Sequence, residues 1–196
     1  MLLVRTEKLP EGQDWLYELK LDGYRSIAFK TGGKVYLRSR NNKDFNSTYP
    51  GIVKALGDMP DETVIDGEVV ALDETGRPSF SALQNHGSGK FPILYYVFDV
   101  MVLEAVDVMR EPLSRRRELL EQKILPHLVE PIKYSAELDS DLSDLIQSVK
   151  KPTRRAGSET SRQPIRGGTT DEGMVENASY RRSGIRHRRI YVRQSV

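Results

Sequence analysis

Lys20, followed by Leu21, Asp22, Gly23, Tyr24 and Arg25, is the best candidate for a nucleophile in this 196-residue chain. An amine attacks only when neutral. A lysine with an ordinary pKa of about 10.4 loses its proton near pH 7 only beside other cations or away from water. Arg25 and a bound divalent ion would supply such a field. Taken alone, the hexapeptide also fits an ordinary hairpin with a solvated lysine. Asp66 and Glu68 stand two residues apart in a strand-like run, so both project from one face, where they suit a metal ion or polar substrate better than a solvated surface. Ser39-Arg40 adds a cation, and Phe98-Asp99 adds a ring beside a carboxylate. The chain has no cysteine, and His86, His127 and His187 are scattered without ligand spacing. Zinc knuckles, disulfides and thiol catalysis are thereby excluded, and any metal needs oxygen ligands.

These residues need elements to hold them. Alternation predicts strands over 14–20, 24–30 and 34–40, joined by turns at Asp22-Gly23 and Gly32-Gly33. Ser47, Thr48 and Pro50 open a short helix with Gly57 as its stop. In a strand over 63–72, Val64, Asp66, Glu68, Val70 and Leu72 share one face. A short helix is expected over 80–85, a buried strand over 92–103, an amphipathic helix over 114–125, a brief strand over 132–134 and a helix over 143–151. Arg115, Arg116 and Arg117 read as the solvated outer face of their helix. The class is α+β on antiparallel sheet. With 38% hydrophobic and 30% charged residues the chain fits one ordinary domain, or one and a half small ones. The apolar run over 93–103 is too short to span a bilayer, and Arg5, Glu7 and Lys8 precede any apolar core, so neither anchor nor signal peptide is expected and the chain reads as cytoplasmic.

Over residues 1–151 the ordered motifs Glu18-Leu19-Lys20-Leu21-Asp22-Gly23-Tyr24-Arg25, Leu37-Arg38-Ser39-Arg40, Val64-Ile65-Asp66-Gly67-Glu68-Val69-Val70 and Val97-Phe98-Asp99 carry a family signature. The chain resembles the nucleotidyltransferase superfamily of ATP-dependent DNA ligases, RNA ligases and mRNA capping enzymes. Pro78-Ser79-Phe80 with Leu83-Gln84, and Arg110-Glu111-Pro112-Leu113, look like the ligase domain of bacterial non-homologous end-joining DNA ligases. The resemblance implies an ATP-grasp-like adenylation domain that uses ATP with Mg²⁺ or Mn²⁺. Lys20 would attack the α-phosphate and hold AMP as a phosphoramidate. Glu18, Leu19, Asp22, Gly23, Arg25, Arg40, Glu68 and Phe98 would line the nucleotide. Within that set, Arg25 and Arg40 would face ribose, phosphate or a nicked DNA end, Glu68 the ribose hydroxyl or metal, and Phe98 the adenine. Asp66 and Glu68 would serve the metal. Implied partners are nicked or broken duplex DNA and end-joining factors, with no membrane and a monomeric state. Lys-x-Asp-Gly is shared with RNA ligases and capping enzymes, and a catalytically dead nucleotide- or DNA-binding module is the reading from outside enzymes.

The composition breaks at Lys151. Residues 1–151 hold 20 Lys+Arg against 24 Asp+Glu, whereas 152–196 hold 10 Arg, no Lys and 4 acidic residues. In the family, a Leu-Glu-Gly-(Leu/Val)-Val-Ala-Lys-Arg segment follows, then a strand with two lysines and an oligonucleotide-binding barrel. Here only Glu172-Gly173-Met174-Val175-Glu176-Asn177 offers a late, partial likeness. Suitable codons for Thr153 to Thr160, read one nucleotide later, can give Leu-Glu-Gly-Leu-Val-Ala-Lys-Arg. The same offset from Gly184 permits Glu-Phe-Val-Ile-Gly-Gly-Tyr-Thr, a barrel-entry-like segment. The expectation is an incomplete adenylation domain over 1–151, an out-of-frame, disordered basic tail over 152–196, no barrel, and impaired or absent activity. A genuine basic tail that adds DNA affinity is the alternative.

Overall fold

The computed structural model describes residues 2–6, 15–19, 21–85, 87, 90–136, 173–177 and 190–194. Lys20, the helix expected over 143–151 and most of 152–196 lie outside the described residues. The chain divides into two units, Met1–Lys20 with Glu137–Gln194, and Leu21–Ala136 with Ser195–Val196.

The first unit holds a four-stranded sheet of β1 (Leu2–Thr6), β2 (Trp15–Leu19), β9 (Gly173–Asn177) and β10 (Ile190–Gln194), in the order β1-β9-β10-β2. β1 pairs with β9 in parallel, from Leu2 opposite Gly173 to Thr6 opposite Asn177, and the other pairings are antiparallel. Two strands thus lie within 152–196, where the sequence pattern suggests no element. Met174-Val175 and Ile190-Tyr191-Val192 are apolar runs too short to register as a period, and the first falls in the late Glu-Gly-Met-Val likeness.

The second unit is built on a sheet with the order β4-β3-β5-β6-β7. Its strands are β3 (Tyr24–Thr31), β4 (Lys34–Ser39), β5 (Thr63–Ala71), β6 (Ile93–Leu103) and β7 (Val106–Asp107), each antiparallel to its neighbour. β8 (Ile132–Tyr134) runs parallel beside β6. The β3–β4 hairpin turns on Gly32 and Gly33, with φ of 55° and 73°. A two-residue turn that follows the strands' twist needs positive φ at both positions. The outer edge of β4 is met by Asn46, whose Oδ1 accepts from the Leu37 amide (2.7 Å) while its Nδ2 donates to the Val35 carbonyl (2.9 Å).

Antiparallel partners project to the same side of a sheet, so the register assigns the faces. Ala28, Leu37, Ile65, Val69, Ala71, Tyr95, Val97 and Val100 lie on one face and are fully buried. They form one core with Ile52, Leu56, Met59, Leu120, Ile124 and Ile132. Burying such a face is the main driving force of the fold. Tyr95 is the polar exception, and its hydroxyl donates to the Ser26 carbonyl at 2.7 Å. Burial, then the nearby Asp66 charge, push the phenol well above its ordinary pKa.

The helices depart from expectation in detail. α1 (Pro50–Ala55) starts at its proline with Tyr49 as N-cap and no side-chain cap, so Ser47 and Thr48 are bypassed. A 3₁₀ turn, Leu56–Asp58, carries the chain through Gly57. α2 (Phe80–Gln84) is capped as its sequence suggests, by Ser79 accepting from the Ala82 amide. The helix expected over 114–125 is instead α3 (Leu113–Leu119), a π-helical turn Leu120–Ile124 and a 3₁₀ turn Leu125–His127. The wider π turn keeps Leu120 and Ile124 buried in the core.

Candidate functional site

The other face of the six-stranded sheet carries a polar patch. Across it, Ile27, Asp66 and Asp99 form one row, and Arg25, Glu68 and Tyr96 form the next. Arg40 lies beside Arg25 at the end of β4, its amide donating to the Arg25 carbonyl at 3.1 Å.

Arg25 and Asp66 make a close ion pair. Arg25 Nε donates to both Asp66 oxygens at 3.2 Å, and Nη2 donates to Oδ2 at 2.5 Å. The Asp66 side chain is 6% exposed and that of Arg25 is 32% exposed, so the carboxylate is covered while the Arg25 side chain stays partly exposed. Burial acts to lower the Arg25 pKa, but the hydrogen bond and charge of Asp66, helped by Glu68 and Asp99, outweigh it and leave the guanidinium above its ordinary value. Asp66, expected among the metal ligands, is seated here against Arg25. Its oxygens are engaged by a cation, and the described residues contain no group of three or more His, Asp or Glu able to hold a metal ion.

Gly23 and Glu68 tie the turn after Lys20 to β5. The Gly23 amide donates to Glu68 Oε1 at 2.9 Å. A Cβ on Gly23 would meet the Val69 carbonyl oxygen at 2.1 Å, so only glycine lets the chain cross β5 this closely. Gly67 is equally constrained, since a Cβ there would lie 2.6 Å from the Tyr96 carbonyl oxygen and 2.7 Å from the Tyr95 ring. Both glycines of the sequence motifs are therefore required by close backbone approach.

Phe98 sits where β6 departs from regular pairing. Asp66 faces Asp99 and Gly67 faces Val97, leaving Phe98 as the extra residue of a bulge; a second irregularity leaves out Met101. The bulge lets Phe98 and its neighbour Asp99 both serve the polar face. The Arg25 guanidinium lies 5.8 Å from the Phe98 ring centroid, and Phe98 is 5% exposed.

Sequence reasoning missed two residues here. Arg116 and Arg117 are buried, not on a solvated helix face. Arg116 holds Asp99 through Nε to Oδ1 (2.8 Å) and Nη2 to Oδ2 (2.9 Å), and Nη1 donates to the Glu111 carbonyl at 2.6 Å. Arg117 donates to the Tyr134 hydroxyl at 2.9 Å and the Ser135 carbonyl at 2.6 Å. The available signal was Asp99, a carboxylate in an otherwise apolar strand that needs a cation to be buried.

Of the remaining candidates, Asp22 and Arg40 are exposed. Glu18 is buried on β2 and Leu19 ends that strand. The face as a whole gathers cations, a carboxylate bound to a backbone amide and an aromatic ring. Those are the parts needed to grip a phosphorylated, base-bearing ligand.

A profile described as an ATP-dependent DNA ligase domain matches residues 3–159. The chain is 41% identical over 149 residues to the multifunctional non-homologous end-joining protein LigD of Pseudomonas aeruginosa, covering 74% of this chain and 18% of that protein. A LigD protein of Mycobacterium tuberculosis is 37% identical over 112 residues, covering 57% and 15% respectively. The solved structure of mycobacterial DNA ligase D complexed with ATP and MES matches with a TM-score of 0.58 and 31% identity, over 68% of this chain and 44% of that one. The chain thus spans less than a fifth of these curated relatives, at 18% and 15% of their lengths.

Proposed function

The chain belongs to the ATP-dependent DNA ligase domain family, matched over residues 3–159, and on that premise we propose that it carries the adenylation step in which Lys20 takes AMP from ATP. Its Nζ, once deprotonated, forms a bond to the α-phosphorus as the bond to pyrophosphate breaks, leaving AMP as a phosphoramidate. Arg25 offers its partly exposed guanidinium to phosphate while Asp66 fixes its angle. Arg40 adds a second cation for ribose, phosphate or a DNA end, with Glu18, Leu19, Asp22 and Gly23 along the nucleotide. Glu68 keeps the Gly23 turn against β5 and serves the ribose hydroxyl or the ion, and Phe98 offers its ring to adenine.

Mg²⁺ or Mn²⁺ fits here as an ion carried on the triphosphate with Glu68 and Asp66 as the protein carboxylates, Asp66 also pairing with Arg25. Such an ion, when bound, would neutralise phosphate charge. The observation that carries the reading is the double tie between segments some forty residues apart, Gly23 to Glu68 and Arg25 to Asp66.

The test is incubation of the chain with ATP labelled at the α-phosphate and Mg²⁺. A covalent label that Lys20→Ala abolishes supports the reading, and labelling that survives the substitution overturns it. Nicked DNA, nicked RNA and GTP, offered in parallel, separate ligation of nicked or broken duplex DNA from the RNA-ligase and capping alternatives. The proteins named as relatives are DNA ligases and end-joining proteins, which favours DNA as the substrate; end-joining factors as partners, a monomeric state and cytoplasmic work belong to the same proposal. No helix among the described residues is long and apolar enough to cross a membrane.

Residues 152–196 are read as an out-of-frame product, with weak adenylation and no nick sealing by this chain. Strands β9 and β10 favour a second reading, a genuine tail that contributes to the first unit's sheet. Sequencing the coding DNA across codons 145 to 196 decides between them.

A further inference from the structure

We propose that Arg116 is a positioning residue of this face: by engaging Asp99 it leaves Asp66 as the carboxylate that aims Arg25. Asp66 and Asp99 are direct partners across β5 and β6, two carboxylates on neighbouring strands of one face. Each is gripped by an arginine from the opposite direction, Asp66 by Arg25 of β3 and Asp99 by Arg116 of α3. The Arg116 grip is a two-point fork, further fixed by donation to the Glu111 carbonyl at 2.6 Å. The field of Asp99 reaches Arg25 and favours its charged form. With Arg116 removed, Asp99 becomes a second, uncompensated acceptor beside Asp66, and Arg25, on which its field already acts, would be drawn toward it. Asp99 would then compete with Asp66 for Arg25, and the guanidinium would turn.

The inference rests on the proposed role of Arg25 toward phosphate, and its test needs no turnover. In the ¹⁵N-labelled full chain, the Arg25 Nε–H, which donates to Asp66, is expected to give a protected, dispersed resonance. Arg116→Gln is expected to shift that resonance and to speed its exchange with water several-fold. The double variant Asp99→Asn with Arg116→Gln, which carries neither charge, is expected to restore both. An unchanged Arg25 resonance in Arg116→Gln overturns the proposal, as does a double variant that stays as perturbed as the single one. Where Arg116→Gln fails to fold, Arg116→Lys, which keeps the charge and loses the two-point fork on Asp99, takes its place: a displaced Arg25 resonance supports the proposal and an unchanged one overturns it. If the resonances behave as expected but Lys20 takes no AMP label, the functional reading fails while the positioning of Arg25 stands.

Discussion

The two arginine–aspartate pairs on the polar face share their chemistry and differ in what remains exposed. In the Arg25–Asp66 pair the arginine side chain is 32% exposed, whereas in the Arg116–Asp99 pair the two side chains are 10% and 13% exposed. The first pair covers its carboxylate and leaves a cation at the surface of the face. The second turns both charges inward and fastens α3 to β6. An open pair is built to act on something else; a closed one stabilises what surrounds it, and only at large cost can one member be removed.

Four substitutions would break or sharpen that contrast. Arg116→Ala strands a buried carboxylate and is expected to cost about 3–5 kcal/mol, measured by urea unfolding; a loss below about 1 kcal/mol, the range of surface pairs, would show that the pair is not closed. Arg25→Ala should do the opposite. It is expected to lower the AMP-labelling rate about 10²-fold or more, with a smaller loss of stability than Arg116→Ala. If the two variants lost stability equally, the distinction between open and closed pairs would fall. Gly67→Ala, next to Asp66 on β5, would drive a methyl group to 2.6 Å from the Tyr96 carbonyl oxygen and should cost about 1–3 kcal/mol, read as a lower unfolding midpoint.

Tyr95→Phe is the mildest, about 1 kcal/mol at pH 7 from the lost hydrogen bond to Ser26. It also carries a pH signature. The folded-state pKa of this phenol is raised, so its contribution is intact below the unfolded value of about 10 and is lost as pH rises beyond it. Between pH 9 and 11, taken as about one unit either side of that value, wild type should lose more stability than the variant. Equal losses would remove Tyr95 from the alkaline response.

Much of this face could be read from residue order. Alternation placed Val64, Asp66, Glu68 and Val70 together because a strand's period is independent of its neighbours. The β3–β4 hairpin was legible because Gly32-Gly33 permits few other conformations. What was not legible depended on partners distant in sequence. The bulge at Phe98 exists only relative to β5, and the strand over 93–103 looks regular by itself. Arg116 and Arg117 resemble a solvated triplet with Arg115 until Asp99 and Tyr134 are brought beside them. The pairing of Asp66 with Arg25 followed from register, which no spacing within β5 discloses. Lys20, the residue the motif points to first, lies outside the described residues.

Asn46 has a consequence for how the molecule behaves among copies of itself. A β-sheet margin with unsatisfied amides and carbonyls is a template on which another chain can grow. At the middle of β4 a single carboxamide occupies one donor and one acceptor, those of Leu37 and Val35. The Phe45 amide takes the Leu37 carbonyl at 2.9 Å. The loop after β4 thus imitates a further strand with a few atoms, too short to extend the sheet and placed to deny an incoming chain its first contacts. It works as a stopper against edge-to-edge growth, made of one side chain and one turn of backbone.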